Sequence, residues 1–148
     1  MICDSKKYIF THIPKCGGTS VEHALLKYEG VDLYSESTDS HNMFILDTIS
    51  TDTQNKYWLG NPDNKGPRQH LKSCEYDNNI RHYYNFTFVR NPYSKIVSEF
   101  MYFTKVYEHK KESTGFDPRL ISCLLNHDFY AFVQTGVDFI WREHAEPQ

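Results

Sequence analysis

The segment Tyr8-Ile9-Phe10-Thr11-His12-Ile13-Pro14-Lys15-Cys16-Gly17-Gly18-Thr19-Ser20 restricts the fold of this chain more than any other stretch. Residues 7–13 are mostly apolar and alternate poorly, as a strand buried on both faces does. Beyond Gly17 and Gly18, Val21, Ala24, Leu25 and Tyr28 fall at i, i+3, i+4 and i+7 and predict a helix, capped by Thr19 or Ser20 and ended by Gly30. A strand, a tight turn and a helix in that order form a phosphate cradle. Backbone N–H groups freed from Cβ crowding at the glycines converge on an anionic oxygen, and the helix adds its positive end. Lys15 supplies a mobile charge. In a Walker loop the lysine follows the glycines, whereas here it precedes them, so this is a phosphate loop of another kind.

A second segment, Phe86-Thr87-Phe88-Val89-Arg90-Asn91-Pro92-Tyr93-Ser94-Lys95-Ile96-Val97-Ser98-Glu99-Phe100, again puts a polar turn after an apolar strand. Together the two segments resemble the sulfotransferases that use 3′-phosphoadenosine 5′-phosphosulfate (PAPS), and most of all their carbohydrate branch. In that family the first loop holds the 5′-phosphosulfate, and the Arg and Ser of a V-R-N-P-Y-x-[RK]-x-x-S segment hold the 3′-phosphate. Lys15, Thr19, Ser20, Arg90 and Ser98 match position by position. The resemblance implies a nucleotide site made of Lys15, Cys16, Gly17, Gly18, Thr19, Ser20, Arg90 and Ser98. For Arg90 the plain alternative is a surface ion pair, and for Cys16 it is a small residue that fits a tight turn.

Composition agrees with one globular domain. The chain has 148 residues, 39% hydrophobic and 16% aromatic, enough for one core. A formal charge of -3 argues against nonspecific nucleic-acid binding. No apolar run approaches the roughly 18 residues of a membrane span, and the N-terminus lacks the apolar stretch of a signal peptide. A soluble, cytoplasmic or otherwise intracellular protein is therefore expected. The resemblance adds the Golgi lumen, because many glycan sulfotransferases are anchored there. Cys3, Cys16, Cys74 and Cys123 form no close pair, so free thiols are expected.

Between the two motifs, residues 35–79 turn to Ser, Thr, Asp and Asn with Gly60, Pro62, Gly66 and Pro67, which reads as loops around one short helix at 43–49. Residues 85–89 form the second expected strand, which discounts Asn85-Phe86-Thr87 as a glycosylation acceptor. Pro92 opens the next helix. Its Tyr93, Ile96, Val97, Phe100, Met101 and Thr104 keep helical spacing and read as core. Residues 105–113 read as a charged, solvated stretch. Asp117 with Pro118 starts a helix over 119–125, and Asp128 starts another over 129–134. The expected architecture is a P-loop-like α/β domain of three layers, a central parallel sheet flanked by helices, with the nucleotide across the C-terminal strand ends.

Sulfuryl transfer demands charge stabilisation on the leaving phosphate and removal of a proton from an acceptor hydroxyl, and in principle no metal. Lys15 and the loop amides serve the first demand. His70, before Leu71, lies where the resembling carbohydrate enzymes often place a catalytic histidine, and is the expected base; an ordinary surface or structural histidine is the alternative. His12 reads as structural at the end of a buried strand, and Glu22 as a weaker alternative base. The remaining histidines carry no motif, and no metal-binding spacing appears. The implied reaction moves a sulfonate from PAPS to a carbohydrate or other hydroxyl-bearing acceptor. A P-loop-like nucleotide kinase or NTPase is the rival, disfavoured by the displaced lysine and by the lack of an acidic strand end for magnesium. A nucleotide-binding fragment without catalysis is the third reading. It follows from the final His144-Ala145-Glu146-Pro147-Gln148, which resembles an H-x-x-P-Q segment that lies well inside the domain in this branch, so the chain is either a minimal version or ends mid-domain.

Overall fold

The central strand pairs with different partners on its two edges. In the computed structural model, which describes residues 1–31, 50–58, 70, 76–110 and 117–136, β1 (Ile2–Cys3) runs antiparallel to β2 (Tyr8–Phe10), and β2 runs parallel to β3 (Tyr84–Phe86). The order is β1-β2-β3, with Ile2 opposite Ile9 and Phe10 opposite Phe86. The parallel pairing of the two motif-bearing strands is thus present, inside a small mixed sheet. The expected helix at 43–49 lies outside the described residues, as does the pentapeptide at the end of the chain.

The chain divides into two compact units, Met1–Phe88 and Val89–Gln148. In the first, β2 is covered on both faces, as its unbroken apolar run requires. On one side Phe10 packs with Leu26 of α1 (Gly18–Tyr28) and with Tyr57 and Trp58 at the end of α2 (Thr51–Tyr57). On the other, Ile9 and Ile2 pack with Tyr76 and Tyr83, which flank a short 3-10 turn at Asn78–Ile80. Each such apolar side chain contributes about 1.5–3 kcal/mol by leaving water. The strand expected to reach 89 leaves the ladder after Phe86, where Thr87 donates its hydroxyl to the Thr11 carbonyl at 2.7 Å.

The second unit is helical. In α3 (Pro92–Lys110), Pro92 takes the first turn and Asn91 Oδ1 accepts from the amides of Tyr93 and Ser94. The helix continues into the charged stretch as far as Lys110, with Val106 buried and Lys105 and Glu108 exposed, as expected of a solvated face; residues 111–113 of that stretch lie outside the described residues. α4 (Pro118–Leu125) starts at Asp117 as its cap signal predicts, and α5 (Phe129–Ala131) starts at Asp128 and continues as a π-helical turn, Phe132–Gly136. Phe103, Leu120, Cys123, Leu124 and Phe132 make the core, with Phe100 against Phe132 at 5.0 Å between ring centres. Among the described residues Cys3, Cys16 and Cys123 form no disulfide, as expected.

Candidate functional site

The turn after β2 curls through two left-handed residues. Lys15 has φ 59° and Gly17 φ 82°. For glycine this costs nothing special, but a lysine there carries backbone strain of order 1–3 kcal/mol, and such strain collects at ligand-binding turns. Cys16 N–H closes the turn onto the Ile13 carbonyl at 3.3 Å. Gly17 is the N-cap of α1, so neither Thr19 nor Ser20 caps it; both are exposed within the first turn. No side chain caps this helix, leaving its first amides to a ligand or solvent. Lys15 and Cys16 are half-buried beside them.

The floor of the loop is a buried polar cluster. His12, 5% exposed, ends the strand and lies beneath Gly18, where an added Cβ would fall 2.2 Å from the ring. Only glycine lets the helix begin there. Glu22, one turn on, is fully buried: its Oε1 accepts from Trp58 Nε1 at 3.3 Å, and its Oε2 stands 3.0 Å from His12 Nδ1. The Nδ1 contact is off the line of the ring N–H, so it is an electrostatic contact rather than an aligned hydrogen bond. The amino group of Met1 donates to the Phe10 carbonyl at 2.8 Å, and burial pulls its pKa down to about 6 while Glu22 opposes the shift.

Glu22 also corrects the expected register of α1. Its buried line is Gly18, Glu22 and Leu26, with Val21 and Leu25 half-buried and Ala24 and Tyr28 exposed. A carboxylate sits at the centre of the inward face because it has partners there. A residue so enclosed does not reach an acceptor, which removes Glu22 as a base.

His70 is brought to the same strand end. Its Nδ1 lies 3.2 Å from the His12 carbonyl oxygen, and its ring meets the His12 ring edge-on at 4.6 Å between centres. The expected base and the expected phosphate loop therefore share one residue, His12, as neighbour.

In the second unit, Arg90, Tyr93, Ser94, Val97, Ser98 and Met101 line one pocket of about 470 Å³. Arg90 and Ser98 thus come together at the start of α3, and Ser94, one turn before Ser98, joins them. Its i, i+4 spacing was the available signal. The apolar residues of α3 split between two faces. Ile96 and Phe100 pack on the helical core, whereas Tyr93 (80% exposed), Val97 and Met101 stay outside it and form the apolar wall of the pocket.

Among the described residues no three His, Cys, Asp or Glu side chains are grouped to hold a metal ion, and no helix is long and apolar enough to cross a membrane. A family model described as the sulfotransferase family matches residues 1–148. Comparisons with curated proteins and with solved structures gave no match.

Proposed function

Since this chain belongs to the sulfotransferase family and is a sulfotransferase, we propose that its donor is PAPS and its acceptor a hydroxyl group of a carbohydrate. The family match runs through both compact units, which supports reading residues 1–148 as parts of one α/β sulfotransferase domain with a central parallel sheet. It also displaces the kinase reading.

The observation that carries the donor assignment is the pocket shared by Arg90 and Ser98. A guanidinium fork and two hydroxyls suit a phosphate, and the exposed face of Tyr93 with Val97 and Met101 suits an apolar ring beside it. The donor supplies a sulfonate joined to phosphate through one sulfur–oxygen bond. Lys15, Cys16, Gly17, Gly18, Thr19 and Ser20 would hold that phosphosulfate, their amides and the lysine stabilising charge as it gathers on the leaving phosphate. His70 takes the acceptor's hydroxyl proton; the oxygen bonds to sulfur, and the bond to the donor phosphate breaks with its electron pair left on the phosphate.

The test is a thermal shift series. 3′-Phosphoadenosine 5′-phosphate is expected to raise Tm more than ADP or ATP, and Arg90→Ala to abolish the difference. Equal shifts for the three nucleotides would overturn the assignment.

A further inference from the structure

Two contacts tie His70 to the strand end, one to the His12 carbonyl and one to the His12 ring. We infer that His12 and Glu22 are positioning residues for His70, acting by deciding which of its ring nitrogens carries the proton. The inference rests on the reading of His70 as the base.

A carbonyl oxygen has no proton to give. The 3.2 Å contact between His70 Nδ1 and the His12 oxygen therefore requires the hydrogen on Nδ1, and in the neutral ring the lone pair is then on Nε2. The edge-on His12 ring limits rotation of the imidazole about that bond. His12 is itself braced from two sides: Gly18 leaves no room for its ring to tilt toward α1, and the buried Glu22 carboxylate faces its Nδ1. Trp58 holds the other oxygen of Glu22. A chain of support thus runs from Trp58 through Glu22 and His12 to His70. It gives a buried carboxylate that cannot meet substrate a defined task. It also fixes the base relative to the residue from which the loop departs.

Nitrogen-15 NMR of the full chain at about pH 8, where histidine is neutral, reads the tautomer directly. The His70 ring is identified by the signals lost in His70→Gln, or by backbone-linked assignment should that variant not fold. A pyrrole-type shift at Nδ1 with a pyridine-type shift at Nε2 is expected. The reverse pattern, or an average of the two, overturns the inference. Glu22→Gln keeps the side-chain volume and an acceptor for Trp58 while removing the charge. It is expected to move His70 toward the averaged pattern and to lower kcat by up to roughly 100-fold, with the donor KM little changed. Trp58→Phe serves if that variant does not fold. An unchanged tautomer and kcat in a folded variant overturn the bracing role. Full activity of His70→Gln sinks the base reading, and the inference with it. The reverse tautomer together with an inactive His70→Gln sinks the inference alone.

Discussion

Gly18 is the residue on which the site depends most simply. Its φ is ordinary; what demands glycine is the His12 ring where a Cβ would stand, 2.2 Å away. Gly18→Ala must push apart a helix start and a buried ring, so a loss of about 3 kcal/mol, the upper end of the usual overpacking cost, is expected from chemical denaturation. Gly17→Ala meets no atom within 4 Å and pays only for its φ of 82°. It should cost about 1 kcal/mol, and the ranking of the two variants checks the account. Lys15, at φ 59°, is the residue of this turn that carries backbone strain. With a nucleotide donor, Lys15→Ala is expected to reduce kcat more than donor affinity, since its charge is needed most as the phosphate leaves; a loss of affinity with kcat unchanged would assign it to binding only. The Gly-Gly turn made these positions legible from sequence. What was hidden is why the second glycine is needed, because that reason sits on a residue six positions earlier.

At the scale of elements, punctuation was read more faithfully than faces. Pro92, Asp117-Pro118 and Asp128 each mark a helix start found in the structure, because a cap is a local bond between neighbours. Asp117 illustrates it: its carboxylate accepts from the Arg119 guanidinium at 3.0 Å and from the Arg119 amide at 2.8 Å, the first more than the second holding its pKa below the usual carboxylate range. Because the folded value is depressed, this contribution is present above the unfolded pKa of about 3.9 and is lost as pH falls through the folded value. Asp117→Ala should therefore lower Tm at pH 7 and flatten the acid limb of the stability curve, while Asp117→Asn, still an acceptor for the amide, restores part of the Tm but not the acid limb. The faces of α1 and α3 were less legible. Hydrophobic periodicity assigns Glu22 outward and Tyr93, Val97 and Met101 inward; Glu22 is instead buried beside Trp58 and His12, and the other three are exposed. β1 has two residues, too short for any period, and α2 is polar apart from its last residue, so neither announces itself.

For the whole molecule, the family match over residues 1–148 and the two motifs agree on a sulfotransferase. The measurable consequence is ligand-linked stability. At 100 times its Kd, a nucleotide that binds only the folded chain adds about 2.7 kcal/mol, or roughly 5–10 °C in Tm for a chain of this size. That shift is expected for 3′-phosphoadenosine 5′-phosphate and not for ADP at the same concentration. The acceptor was the least legible part from the start, since the polar stretch between the motifs carries neither period nor spacing.

The contact between Gly18 and the His12 ring also bears on how such a chain can change over generations. A larger residue at position 18 fits only where position 12 has lost its ring, and a chain without that ring gives up the edge-on contact with His70. Positions 12, 18 and 22 should therefore drift as a set: relatives with alanine or serine at 18 are expected to carry a small or aliphatic residue at 12 and to have abandoned the acid at 22.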